Sequence, residues 1–277
     1  MTGKIAFQGE LGAYGHQACA DARPDYTPLP CVTFHDTMAA VREGRADLGM
    51  VAVENSIYGR VADVHSLLPE SGLHIVDEAF VRVHVNLLGV KGATLDQVRE
   101  AHGHVVILPQ CSKFLHSHAI KGVISSDNAR AAREIAERGD PAQAALASEM
   151  AAQIYGLDVL ARHIEDRPDN TTRFLIMARA ADFTRRGDHG MMTSFLFRVR
   201  NIPAALYKAM GGFATNSVNM VKLESYMVDG SFTATQFFAE IEGHPEDPNV
   251  ALALEELRYF TSYLRILGTY PADPLRR

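Results

Sequence analysis

Residues 47–61 read DLGMVAVENSIYGRV. The run from Asp47 to Val53 is apolar on both alternating faces, and such a strand has to be covered on both sides, as in a sheet flanked by helices. It ends abruptly in Glu54, Asn55 and Ser56, ahead of a helix expected to reach His65. Three adjacent polar groups at the mouth of a buried strand can converge on a ligand. They can equally form a helix-capping turn, with Asn55 or Ser56 accepting from the next backbone N–H groups and Glu54 facing water.

On either side of this stretch, up to about residue 180, short apolar runs alternate with helical patterns. Lys4 to Gln8, His74 to Val90 and Val105 to Leu108 read as further strands. The clearest helix is Asp127 to Arg138, capped by Ser126 or Asp127, with Ala129, Ala132, Ile135 and Ala136 on one face and Gly139 as its stop. This alternation predicts an α/β domain. The polar, glycine-bearing stretch ADFTRRGDHG (Ala181 to Gly190) marks a domain boundary, separating residues 1–181 from residues 191–271. Beyond it come a strand (193–200), a helix from Pro203 to Gly211 stopped by Gly211-Gly212, a strand (218–228), a turn at Asp229-Gly230, a strand (231–242), a helix (250–261) and a strand (263–269). That βαββαβ order is ferredoxin-like.

With 277 residues, 47% of them hydrophobic, the chain can bury a sizeable core in one large domain or two. A net charge of −6 argues against the basic face that nucleic acid or an anionic membrane requires. Cys19, Cys31 and Cys111 are odd in number and form no CxxC pair, which fits a reducing cytoplasm. No secretory leader is expected from the N-terminal residues, and no apolar run reaches the roughly 18 residues of a membrane span.

A second polar knot, Asp169 to Met177 (DNTTRFLIM), opens directly onto an apolar strand. Strand mouths are where α/β proteins place ligands, although Asn and Thr also make plain turns there and Arg173 could be a solvated strand-end charge. A third string, Gln8 to Ala18 (QGELGAYGHQA), sets Gly9, Gly12 and Gly15 between a strand and a helix. Backbone N–H groups and the helix dipole there favour a carboxylate or phosphate, but neither GxGxxG nor a Walker lysine is present. His102, His104, Cys111, His116 and His118 tempt a metal reading; surface histidines are the favoured alternative, and no metal is expected. The absence of GxSxG or any other hydrolase signature leaves the chemistry to hydrogen bonding and charge.

Taken in order, the glycine-rich start, VAVENSIYG, QCSKFL (Gln110 to Leu115), YGLDVL (Tyr155 to Leu160) and DNTTRF resemble the prephenate dehydratase family over nearly the whole chain. The run from Asn201 to Met227 resembles the phenylalanine-binding stretches of an ACT domain. The resemblance implies a two-lobed catalytic domain like type II periplasmic binding proteins, with the active site in the cleft, followed by the ACT domain. It implies a cytoplasmic carbon–oxygen lyase of phenylalanine biosynthesis, needing no cofactor, that converts prephenate to phenylpyruvate with loss of CO2 and water. L-phenylalanine is the implied effector, and a homodimer or homotetramer through the ACT domains is the implied assembly. Arogenate dehydratase and a non-catalytic amino-acid-responsive binding protein are the alternatives.

The family's catalytic threonine falls on Thr172, with Arg173 and Phe174 beside it and Asn170 two places before; its acidic-amide-serine string falls on Glu54, Asn55 and Ser56. Thr172 is expected to assist the departing hydroxyl, with Arg173, Asn170, Ser56 or the N-terminal loop polarising it. Arg173 and N–H groups between Gly9 and Gly15 are expected to hold the substrate carboxylates. Gly9, Gly12, Ala13, Tyr14 and Phe174 complete the expected substrate contacts, with Phe174 packing behind the site. Ala204, Ala205, Leu206, Asn216, Asn219, Glu224 and Ser225 are the implied phenylalanine contacts. The chain departs from the family at Ala13 and Gly15, where many members carry hydroxyls, at Ala204 in the GAL triplet, and at Tyr226-Met227 in place of Arg-Pro.

Overall fold

The computed structural model describes residues 3–227 and 234–276, so the expected turn at Asp229-Gly230 lies outside the described residues. In chain order the elements are β1 (Lys4–Gln8), α1 (Tyr14–Ala22), β2 (Thr27–Cys31), α2 (Phe34–Arg42), β3 (Leu48–Asn55), β4 (Gly59–Arg60), α3 (Ala62–Leu67), β5 (His74–Arg82), β6 (Asn86–Gly89), β7 (Glu100–His104), α4 (Ser112–Ser117), β8 (Lys121–Ser125), α5 (Asn128–Arg138), β9 (Gln143–Ala147), α6 (Glu149–Tyr155), β10 (Asp158–Ala161), β11 (Thr171–Ala178), β12 (Met191–Val199), α7 (Ala205–Thr215), β13 (Met220–Met227), β14 (Ala234–Glu242), α8 (Pro248–Phe260) and β15 (Thr261–Pro271). They pack as two units, one running to Val64 and resuming over Ala79–Phe174, the other comprising His65–Glu78 and the chain from Leu175 on.

The first unit holds two sheets. In one, the order is β11-β3-β1-β2, with β1 parallel to both β2 and β3. Met50, Val51 and Val53 of β3 are buried, as a strand apolar on both faces requires. The other sheet runs β10-β6-β9-β7-β8. The chain crosses between the two sheets at residues 83–85 and again at 162–170, and the crossings are tied together by Val83 N–H to Asn170 O and Ile164 N–H to Val85 O, both 2.9 Å. Helix α5 forms as expected: the Asp127 carboxylate caps Arg130 N at 2.9 Å and Gly139 ends the helix at φ 67°. It buries Ala129, Ala131, Ala132 and Ile135 against the second sheet, Ile135 alone contributing roughly 1.5–3 kcal/mol.

Two strand assignments in this unit need correction. Residues 105–107 are a turn and Leu108–Cys111 a 3-10 segment, so the strand is β7, just before the expected one. Pro109 lacks an N–H to give to a ladder, and β7 carries little hydrophobicity because Gly103 must lie close to Leu146, where a Cβ would come within 3.1 Å of that side chain. The apolar run from His74 to Val90 is two strands, β5 and β6, separated by the crossing.

The second unit contains the βαββαβ order as β12-α7-β13-β14-α8-β15, with sheet order β13-β14-β12-β15 and antiparallel pairings throughout. Phe195, Phe197, Phe237, Ala239 and Ile241 of the strands pack against Ala209 and Phe213 of α7 and Val250, Ala253, Leu254 and Leu257 of α8. Helix α7 begins two residues after Pro203 and continues through Gly211 and Gly212 to Thr215. Gly212 is not a stop but a contact point: a Cβ there would lie 2.8 Å from Glu256 Cβ and 3.2 Å from Ala253 O on α8. None of the described helices is long and apolar enough to cross a membrane.

Candidate active site

Ser56 joins the ends of β3 and β11. Its N–H donates to Thr171 O at 2.9 Å, its hydroxyl donates to Asp169 O at 2.9 Å, and the same oxygen accepts from Thr171 N at 2.9 Å. The two polar knots of the sequence are thereby brought side by side. Asn55 Oδ1 accepts from the N–H groups of Ile57 and Tyr58, at 3.0 and 3.1 Å, in the turn that joins β3 to its antiparallel partner β4; the expected helix cap is therefore a hairpin turn, with helix α3 starting only at Ala62. That acceptance turns the amide nitrogen the other way, where Nδ2 donates to Thr172 Oγ1 at 3.0 Å and to Asn170 Oδ1 at 2.7 Å. Asn170, buried to 1% exposure, in turn donates to Gln110 Oε1, and Gln110 Nε2 donates to Val106 O at 2.8 Å.

The three amides therefore form a directed relay that leaves Thr172 an acceptor toward Asn55 and its hydroxyl proton available to a third group. Tyr58 adds a second anchor, its hydroxyl donating to the same Val106 carbonyl at 2.9 Å.

Alternation along β11 sends Thr172 and Phe174 into a cavity of about 200 Å³, lined also by Gln8, Gly12, Ala13, Tyr14, Ser148 and Asn128. Arg173 faces the other way. Its Nη1 lies 2.9 Å from Glu54 Oε2 and its side chain is only 6% exposed, so the expected contact of Arg173 with a substrate carboxylate has no counterpart in this arrangement. Glu54 likewise serves this ion pair and does not line the cavity.

The glycine-rich loop is fitted against α6. Ser148 Oγ donates to Gly12 O at 2.6 Å, and Gly12 stands at φ 92° where a Cβ would meet Ala151 Cα at 2.8 Å. Only glycine meets both demands. Ala13, the N-cap of α1, offers no side-chain acceptor, so the first-turn N–H groups are left for water or a ligand beside Ala13 and Tyr14. Gly9, at φ 114°, lies outside this cavity and lines a neighbouring one with Glu10, Cys31 and Arg130.

No lysine, arginine or histidine lines the Thr172 cavity among the described residues. Asp127 does line it; burial pushes its carboxyl above the ordinary 3.8, against the lowering effect of the Arg130 and Ala129 N–H groups. His102 and His104 share strand β7, but with Cys111, His116 and His118 they gather into no three-donor group among the described residues. Burial holds His102 below its usual value.

In the second unit, Ala204 (φ 61°), Ala205 and Leu206 open α7, whereas Asn216 sits at its far end, donating to Gly212 O at 2.8 Å and Glu256 Oε1 at 3.0 Å. Asn219 O accepts from Glu242 N, and Glu224 and Ser225 lie on β13, Glu224 at 3.6 Å from Lys222. Sequence reasoning did not single out Gln110, Ser148 or Asn128, because each reaches the site from the other sheet of the first unit.

A threonine set on hydrogen-bonded amides, in a cavity lined from both sheets of the first unit, defines an α/β protein with a cleft for a small ligand. Residues 5–182 match the family model for prephenate dehydratase. The chain is 51% identical over 99% of its length to a bifunctional N-acyl-homoserine lactone acylase/prephenate dehydratase of Komagataeibacter europaeus, covering 97% of that protein. It is 36% identical, over 99% of this chain and 73% of the relative, to arogenate dehydratase/prephenate dehydratase 1 of Arabidopsis thaliana. The structure of prephenate dehydratase from Arthrobacter aurescens in complex with L-Phe superposes with a TM-score of 0.88 at 29% identity, over 97% of this chain and 90% of that one. The chain belongs to the prephenate dehydratase family. Its activity is that of a carbon–oxygen lyase of aromatic amino-acid biosynthesis.

Proposed function

We propose that Thr172 is the group that helps the hydroxyl of prephenate leave. Loss of the ring carboxylate as CO2 supplies the electron pair that expels the hydroxyl, and aromatisation drives the step. The enzyme chiefly has to make hydroxide a better leaving group. An alcohol is a poor acid, and the Asn55 Nδ2 donation to Thr172 Oγ1 supports Thr172 in that role: an N–H on its oxygen stabilises charge appearing there as the proton moves to the departing oxygen. A preorganised donor of this kind contributes about 2.7–4 kcal/mol to a barrier. In this scheme Asn170 and Gln110 keep Asn55 oriented, Ser56 holds the two strand ends together, and the Glu54–Arg173 pair buttresses β11 from behind.

Prephenate carries two carboxylates. With no cation among the described residues lining the cavity, they rest on the uncapped first turn of α1 at Ala13 and Tyr14 and on the side chains of Gln8, Asn128 and Ser148. Purified protein incubated with prephenate should form phenylpyruvate, followed by its alkaline ultraviolet absorbance, and Thr172→Ala should lower kcat sharply with little change in KM. Retained turnover in that variant would remove Thr172 from the mechanism.

Residues 1–181 form the catalytic domain in this proposal, and residues 191–271 an ACT domain that binds L-phenylalanine through Ala204, Ala205, Leu206, Asn216, Asn219, Glu224 and Ser225. The βαββαβ order and the L-Phe complex of the Arthrobacter aurescens relative support it. Assembly through the ACT domains into a homodimer or homotetramer, in the cytoplasm, completes the proposal. Calorimetry with millimolar phenylalanine tests the effector; no heat of binding sinks it.

Arogenate is the alternative substrate, favoured by the Arabidopsis thaliana relative's name, and a parallel assay decides. A second activity, cleavage of N-acyl-homoserine lactones, is supported by the 51% identity to a protein named for it, and release of homoserine lactone from such an amide tests it.

A further inference from the structure

The two crossings of the first unit carry side chains that dehydration does not use. His84, on the first crossing, places Nδ1 2.9 Å from Oε1 of Glu165 on the second. The other Glu165 oxygen accepts from Val85 N at 2.9 Å, and the carboxylate side chain is only 4% exposed, so this acid is fixed in place. The His163 ring lies over His84 with centroids 4.1 Å apart and planes 11° from parallel. One ligand atom from each of the three side chains lies within 4.8 Å of the others. His163 also stands at φ 50°, a backbone conformation that costs a non-glycine residue and that here delivers its ring to this spot.

We propose that His84, His163 and Glu165 form a binding site for a divalent transition-metal ion of the zinc class, which clasps the two crossings together. Two imidazoles and a carboxylate are a donor set that suits zinc, and three protein ligands leave a fourth position for water. The Glu165 anchor is already oriented by a backbone N–H, as ligating carboxylates generally are. His163 is exposed and the His84 side chain is 43% exposed, so an ion has an entry path and the His163 ring has room to turn out of its stacked position into coordination. The consequence reaches the active cavity: the His84 carbonyl accepts from the hydroxyl of Tyr14, which lines it, at 2.9 Å. An ion at this point joins the two segments that connect the sheets.

The test is metal binding itself. Full-length protein is stripped with a chelator and dialysed against zinc sulfate, the metal content is measured by atomic absorption, and the Tm is followed with and without the ion. The expected result is one zinc per chain and a raised Tm. His84→Ala and His163→Ala should each weaken binding at least about tenfold and abolish the Tm rise, while the double variant His116→Ala/His118→Ala leaves both unchanged. Absence of stoichiometric zinc in the wild-type protein overturns the proposal, as does binding that survives in both His84→Ala and His163→Ala or disappears with the α4 histidines.

Discussion

Asn55→Ala is the perturbation that separates the relay from ordinary packing. The variant deletes the donor 3.0 Å from Thr172 Oγ1 and the one 2.7 Å from Asn170 Oδ1, together with the acceptor of two turn N–H groups. If the first of these stabilises charge on Thr172 only as the leaving oxygen departs, its loss raises the barrier by about 2.7–4 kcal/mol, lowering kcat about 10²–10³-fold with KM little changed. The others cost stability instead. A buried Asn170 acceptor left without its partner costs about 1–3 kcal/mol, a loss of about 2–4 °C in Tm for each of those kcal/mol. Steady-state kinetics at a temperature well below the melting range keeps the two effects apart. The stronger test is a double-mutant cycle with Thr172→Val. If Asn55 acts through the Thr172 hydroxyl, removing it from a protein already lacking that hydroxyl changes kcat hardly at all. Losses that multiply across the cycle would refute the relay and leave Asn55 a structural residue.

Arg173→Ala should break a largely buried ion pair and destabilise the protein by about 3 kcal/mol, the low end because the Glu54 side chain is 32% exposed, with KM for prephenate nearly unchanged. A large rise in KM at unchanged Tm would instead return Arg173 to the substrate. The raised carboxyl of Asp127 gives a pH dependence whose sign follows from linkage. The folded state holds that proton more tightly than the unfolded chain, so the group's contribution to stability is present below the ordinary 3.8 and is lost as pH rises through the raised value. Asp127→Asn keeps a competent cap and removes that penalty, so its Tm relative to wild type should be more favourable at pH 7 than at pH 4; an offset independent of pH would contradict the assignment. Gly212→Ala places a methyl 2.8 Å from Glu256 Cβ and should cost about 1–3 kcal/mol by forcing α7 from α8, seen as a lowered Tm of the second unit with prephenate turnover intact.

What was legible in the sequence follows from how far each signal travels along the chain. The covered strand at β3, the capped and glycine-ended helix α5 and the βαββαβ order of β12 to β15 are written in local periodicity and end signals, and each formed. Strand β7 shows no apolar alternation because it reads EAHGH, with Gly103 held against Leu146. Helix α7 runs on to Thr215 because its glycine pair, a stop signal when read locally, gives room for the approach of α8. Within the site, the two polar knots could be found separately, but their meeting through Ser56 is a pairing between β3 and β11 across more than a hundred residues. Alternation on β11 already separates Thr172 and Phe174 from Arg173. Which face holds the cavity is decided by the pairing partners, and Arg173 lies on the other face, paired with Glu54. Gln110 belongs to the same class: one glutamine in a helix-like string acquires a role only when the second sheet brings it to Asn170. The orientation of the relay then rests on a short-range fact, the two turn N–H groups that claim Asn55 Oδ1. One side chain therefore closes the β3–β4 turn with its oxygen and directs its nitrogen at Thr172.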